Sequence, residues 1–222
     1  MCGRFTLFEP DAVLVKEFGA ARVQAGPPRY NIAPSQPVAV VRVSPGDRAR
    51  EILRLRWGLI PPWAKDPSIG NRLINARAET AAEKPSFRSA FRHRRCLVPA
   101  NGFFEWRKVD RGKQPFYIRM RDGRPFAFAG LWERWVPSGG EAVETCTILT
   151  TGANDLLKPI HDRMPVIVPA GMYDAWLDTD RKDPETLKDL LLPWPPESME
   201  AKPVSTVVND PSHDGPECIA PR

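Results

Sequence analysis

Twenty-five of the 222 residues are proline, about twice the usual share. Proline fixes φ, removes a backbone donor and breaks helices from within, so a chain interrupted this often folds as short segments. Between the prolines lie β-branched and aromatic runs bounded by Gly, Pro or Asp. They are "VAVVRV" (38–43), "EILRLRW" (51–57), "CLVPA" (96–100), "FFEWRKV" (103–109), "PFYIRM" (115–120), "PFAFAGLW" (125–132), "ETCTILTT" (144–151), "MPVIVP" (164–169) and "VSTVV" (204–208). Each reads as a strand. "DRGKQ" (110–114) and "RDGRP" (121–125) read as hairpin turns joining neighbouring strands. Helical pattern is peripheral: "DAVLVKEFG" stopping at Gly19, "NARAETAAEK" (75–84), "PAGMYDAWLD" and "DPETLKDLLL". No repeat, low-complexity tract or long linker divides the chain. The expected fold class is α+β: a single domain over residues 1–222 with a curled, mostly antiparallel, barrel-like β-core and helices at its periphery.

No apolar run approaches the ~18 residues a membrane span requires, and the first residues lack the pattern of a signal peptide. Cys2, Cys96, Cys146 and Cys218 are far apart and form no CxxC pair. That argues against a disulfide framework or structural zinc and for a reducing compartment, here the cytoplasm. Cys96, Cys146 and Cys218 sit in or beside apolar segments and read as small buried hydrophobes. The charge is lopsided: residues 1–100 carry 17 Lys+Arg against 8 Asp+Glu, and residues 101–222 carry 15 against 19. No acid occurs between Glu83 and Glu105, where Lys84, Arg88, Arg92, Arg94 and Arg95 fall. Such a surface suits a polyanion, by release of condensed counterions, or is simply a solvated basic face.

Six stretches can carry chemistry. In "MCGRFT", removal of Met1 exposes an amine and a thiol on one residue, Cys2. An α-amine titrates near ~7.7–8.0 rather than lysine's ~10.4, so part of it is neutral at pH 7 and attacks an aldehyde. The sulfur then closes a five-membered thiazolidine, favoured by proximity. In "NRLINARAET", Asn75 and Arg77 read either as an N-cap and a surface arginine or as an anion seat at a helix start. In "NGFFEWRK", alternation separates Phe104 and Trp106 from Phe103 and Glu105. Glu105 is then a carboxyl beside an aromatic with a raised pKa, or an edge-strand glutamate facing water. In "KPIHDRMP", prolines on both sides hold His161, either as a proton carrier or as an inert loop residue. In "RYNIAPSQP" and "RWGLIPPWAKD", arginines flank Pro and Trp as in loops that stack on single-stranded nucleic acid. Trp57 reads there as core and Trp63 as the stacking candidate.

Together "MCGRF", "RYNIAP", "RWGLIPPW", "NARAET", "CLVPANGFFEW", "ILTTGAND", "IHDRMPVI" and "VSTVVNDPSHDGPE" resemble, in order, the SRAP (SOS response-associated peptidase) family. The resemblance runs from Cys2 to about Pro216. It implies an α+β domain around a barrel-like core that senses abasic sites in single-stranded DNA. The implied chemistry is a covalent thiazolidine crosslink through Cys2 that protects the lesion, with no metal or organic cofactor and no membrane. By the same resemblance, Asn75 orients the opened sugar and the cysteine. Glu105 transfers protons during ring opening and imine formation, and His161 assists imine formation and reversal. Arg4, Arg77 and Arg163 match phosphate-contacting arginines, while Pro34 and Trp63 match residues that wedge and stack at the lesion. Some relatives carry a second tryptophan where this chain has Ala64. The partner is single-stranded DNA containing abasic sites, and the protein is expected to be a monomer. Two alternatives stay open: an N-terminal-nucleophile hydrolase using Cys2 and His161, and a single-strand binder in which Cys2 is incidental.

Overall fold

The computed structural model describes residues 2–181 and 183–221. In chain order its strands are β1 (Arg4–Leu7), β2 (Arg22–Val23), β3 (Arg29–Ile32), β4 (Pro37–Val43), β5 (Arg50–Trp57), β6 (Asn75–Arg77) and β7 (Arg95–Ala100). There follow β8 (Gly102–Lys108), β9 (Lys113–Met120), β10 (Phe126–Trp135), β11 (Val143–Gly152), β12 (Arg163–Pro165), β13 (Ile167–Val168) and β14 (Met199–Pro203). Helices are short: α1 (Asp11–Phe18), α2 (Ala78–Ala81), α3 (Arg88–His93) and α4 (Tyr173–Leu177), with 3₁₀ segments between and after them, one of which, Pro184–Leu191, takes the place of the helix expected at "DPETLKDLLL". None of them is long and apolar enough to cross a membrane.

Five strands close on themselves. β11 pairs β10, β10 pairs β7, β7 pairs β4 and β4 pairs β5, all antiparallel. β5 then returns to β11 in parallel, with Arg56 opposite Thr145 and Trp57 opposite Cys146. The result is a mixed five-stranded barrel without open edges along its closure. A second sheet, in the order β14-β9-β8-β1-β3, packs on it. Aromatic rings interlock across the seam: Phe5 meets Trp57 at 5.3 Å and Phe128 at 5.8 Å, and Phe103 meets Phe128 at 6.0 Å between centroids. The strand periodicity and the turn at "DRGKQ" are as expected. α1 ends at Gly19, whose left-handed φ of 61° lets its N–H reach Val15 O.

Four further expectations need correction. "NARAETAAEK" is not one helix: Asn75–Arg77 form β6, parallel to β11, and only Ala78–Ala81 are α-helical. Pairing along the flank of β11 overrides a high helix propensity. Asn75 is therefore neither an N-cap nor the start of an anion-binding helix. "RDGRP" does not join neighbouring strands, since β9 and β10 belong to different sheets and the turn carries the chain between them. "MPVIVP" splits, because β12 pairs β11 whereas β13 pairs β10. "VSTVV" is not a strand: the Ser205 hydroxyl accepts from Val207 N and starts a 3₁₀ turn at Thr206–Asn209.

Candidate active site

Cys2 precedes β1, whose register against β8 sets Arg4 opposite Phe104 and Phe5 opposite Phe103. The residue is fully buried. From the other side Asn75 Nδ2 donates to Cys2 O at 2.8 Å, so β6, rather than a helix, delivers this contact. Asn75 Oδ1 is buried and has no hydrogen-bond partner among the described residues. It is an acceptor without a donor, and such groups are costly away from a site that uses them. Burial, followed by the nearby Glu105 charge, pushes the Cys2 thiol far above the usual cysteine range. Met1, whose removal the amine chemistry needs, lies outside the described residues.

Glu105 sits on β8, which is flanked by β1 and β9 in the middle of its sheet, and it is 2% exposed. The reading as a water-facing edge residue therefore does not hold. Alternation works as expected: Phe103 joins the main core, while Phe104 packs with Tyr117 and Trp106 in a second cluster. Burial raises the Glu105 carboxyl to about 7, with the Asp162 charge adding to the shift. Half protonated near neutrality, such a group both gives and takes protons.

His161 lies half-buried in the loop before β12. Its Nδ1 accepts from Arg163 N at 3.0 Å and lies 3.0 Å from Asp162 Oδ1. A backbone N–H only donates, so the neutral ring carries its proton on Nε2. Burial lowers the His161 pKa and keeps the ring neutral. Cys2, Asn75, Glu105 and the His161–Asp162 loop thus meet on one face, linked by the Asn75 hydrogen bond and by charge.

The five residues expected at DNA divide. Trp63 is exposed at 56%, with its indole nitrogen 3.5 Å from Pro85 O, whereas Trp57 is core as expected. Ala64 is packed under Trp135, whose indole donates to Ala64 O at 2.7 Å. Pro34 lies half-buried in a turn bound to the loop that carries Trp63. Ser35 Oγ and Arg56 Nη2 reach Asn71 Oδ1 at 3.0 and 3.1 Å. Within that loop a Cβ on Gly58 would stand 2.6 Å from Gly70 O, so the backbone closes there only without side chains. Arg77 is exposed. Arg163 is engaged by Glu79 through both Nη atoms, at 2.5 and 2.8 Å. Arg4 donates to Asn31 Oδ1 at 2.9 Å, Val208 O at 2.8 Å and Asn209 O at 3.3 Å, which makes it a clamp on the C-terminal loop.

Sequence reading missed Asn31 and Asp214. Fully buried Asn31 donates to Val208 O, Asp210 O and His213 O at 3.1, 3.0 and 2.7 Å. Asp214 accepts from Tyr30 N and Asn31 N at 2.7 and 2.6 Å. Their only sequence signal was membership of two quoted motifs, because the partners are 177 to 184 positions away.

Fold and site define a barrel-cored domain that holds a cysteine at its second position against a buried carboxyl. The chain belongs to the SOS response associated peptidase (SRAP) family, whose model matches residues 1–211. It is 45% identical over 223 residues to the abasic site processing protein YoqW of Bacillus subtilis, covering 99% of each chain. To the abasic site processing protein YoaM of the same organism it is 43% identical, covering 99% of this chain and 97% of that one. A crystal structure of a protein from Bacteroides thetaiotaomicron superposes with a TM-score of 0.88 at 27% identity, covering both chains fully.

Proposed function

We propose that this protein processes abasic sites, as its relatives' names state of them. In this reading it captures the lesion in single-stranded DNA by a covalent thiazolidine through Cys2. The observation that carries the reading is a buried carboxyl with a pKa of about 7, set beside a cysteine whose carbonyl is held by Asn75.

After loss of Met1, the neutral α-amine of Cys2 adds to C1′ of the ring-opened deoxyribose aldehyde. Glu105 in its protonated form supplies the proton that lets the carbinolamine hydroxyl leave as water, giving an imine. The Cys2 thiol then adds to the imine carbon. An S–C bond forms, the electron pair of C=N moves to nitrogen, and the thiol proton ends there by way of the Glu105 carboxylate. The balance is aldehyde plus aminothiol to thiazolidine plus water, with no change of oxidation state. Because burial keeps sulfur in the thiol form, amine attack comes first and ring closure last. Neutral His161, with its Nε2 proton, relays a proton at the carbinolamine stage. Asn75 Oδ1 accepts from the opened sugar or the amine. Arg77, Arg163 and Arg4 act on phosphates, and Pro34 and Trp63 splay the strand. Arg163 must first exchange Glu79 for phosphate, and Arg4 the carbonyls of Val208 and Asn209.

Borohydride trapping on an oligonucleotide with one abasic site tests the order of steps. Wild-type protein and Cys2→Ser are both expected to give a trapped species on a denaturing gel, and only the wild type a stable product without borohydride. Cys2→Ala also ends in an α-amine, so it traps weakly and leaves no stable product. Equal stable products from all three contradict the reading, and peptide cleavage without any DNA product favours the hydrolase.

A further inference from the structure

The loop carrying Trp63 leads into β6, whose Asn75 holds Cys2, and a second basic segment joined to the site has no assigned role. It is the β8–β9 hairpin, the direct extension of the strand that carries Glu105. Arg107, Lys108, Arg111 and Lys113 cluster there against one acid, Asp110, and all four cations are exposed. Several arginines elsewhere are neutralised internally, as in Arg22–Asp47, Arg42–Glu51, Arg94–Glu133 and Arg119–Glu200. Among the described residues none of the four hairpin cations is in an ion pair. Unpaired like charges crowded on one short turn repel each other, and an external anion relieves that repulsion.

The register adds direction. Strand alternation sets Arg107 on the same face as Glu105, about 7 Å farther along β8. Its guanidinium stacks 4.7 Å from the centroid of Phe116, the residue paired with Glu105 across the hairpin. Stacking fixes the plane of the guanidinium and leaves its N–H fork free for bidentate contact with a phosphate. Gly112, at a left-handed φ of 91°, folds the tip so that Lys113 comes opposite Lys108. Lys113 lies near enough that, after burial and Asp162 are counted, its charge also acts on His161. The hairpin therefore continues the strand that carries Glu105, while Asn75 and β6 belong to the other sheet.

We propose that this hairpin, anchored by Arg107 on Phe116, binds the phosphodiester backbone of single-stranded DNA across Cys2 from Trp63 and Arg77. The strand then runs between two basic walls with its lesion over Cys2. This assignment rests on the function proposed above and adds a partner surface to it.

The test uses the protein without Met1 and a labelled single-stranded oligonucleotide carrying a tetrahydrofuran abasic analogue, which has no aldehyde and so reports binding alone. Dissociation constants are measured by fluorescence anisotropy over a range of salt. Each lost phosphate contact lowers the log–log salt slope by about 0.7 for single strands. Arg107→Gln combined with Lys113→Gln is therefore expected to make the slope shallower by about 1.4. Arg107→Lys, which keeps the charge, is expected to retain it, as is Lys16→Gln on distant α1. The loss should vanish when the oligonucleotide is cut back to the analogue on one side and persist when it is cut back on the other. An unchanged slope in the double variant, an equal change in Lys16→Gln, or a loss that survives both truncations overturns the assignment. If the wild type binds the abasic strand and only the hairpin variants fail to respond, the hairpin assignment alone falls. If the wild type does not bind, the proposed function falls with it.

Discussion

The barrel and the sheet laid over it obey opposite rules. In the barrel, the buried arginines are paired: Arg42 bridges Glu51 and Glu144 at 2.8 and 3.0 Å, and Arg95 donates to the carbonyls of Trp176, Phe91 and Arg92. Where the second sheet meets β6, an acid and a thiol are buried in the forms that burial favours, and Asn75 Oδ1 has no partner among the described residues. The barrel stabilises the molecule, while the overlying sheet spends some of that stability on groups held ready for a ligand.

The largest expected effect tests the stabilising half. Phe128 touches Phe5, Phe103 and Phe126 at 5.8, 6.0 and 5.4 Å, so Phe128→Ala should lose about 3–5 kcal/mol of unfolding free energy in denaturant titrations. A loss below about 1 kcal/mol would show that the seam is not where stability resides. Glu105→Gln should act in the opposite direction. An acid whose pKa rises from 4.5 in the unfolded chain to about 7 when folded binds more protons in the native state between those values. Its contribution is therefore present below about 4.5 and lost as pH rises through about 7. Glu105→Gln is expected to be more stable than wild type by about 2–3 kcal/mol at pH 8, with the gap closing near pH 4.5. The same variant should form the DNA product ~10²-fold more slowly. A Gln variant less stable at pH 8 would remove the distinction between the two regions.

Asn31→Ala sharpens the comparison at the boundary. It removes the Asn31 amide from three carbonyls and one acceptor from Arg4, so a loss of about 1–3 kcal/mol is expected by thermal unfolding. Limited proteolysis should then cut first in the 205–215 loop. Glu79→Gln should have the smallest effect. Stability should move by less than about 0.5 kcal/mol, because Glu79 is half exposed, at 50% of its side chain. Affinity for single-stranded DNA should rise a few-fold as Arg163 is released. A fall in affinity would mean that Glu79 orients Arg163 rather than masking it.

Elements with strong local pattern were legible in the sequence: the alternation around Glu105, the Gly19 stop of α1 and the exposed Trp63 in a proline loop. Asn75 was identified as a site residue but assigned to the wrong element, since "NARAET" has helical composition and only β11, more than seventy residues away, makes it a strand. Asn31 and Asp214 were not legible as parts of the site's support, because their hydrogen bonds span nearly the whole chain. Nor did composition separate the cations that are paired internally, such as Arg163, from those in no ion pair among the described residues, such as Arg107. That distinction exists only once the chain is folded.

Intact-mass analysis of the product with an abasic oligonucleotide gives the most direct test. Expected is a single species equal to the chain lacking Met1 plus the oligonucleotide minus one water, stable without reductant and absent from Cys2→Ala. A product that retains Met1, or one of the same mass change that Cys2→Ala forms and keeps without reductant, would place the bond elsewhere and contradict a terminal aminothiol as the reacting group.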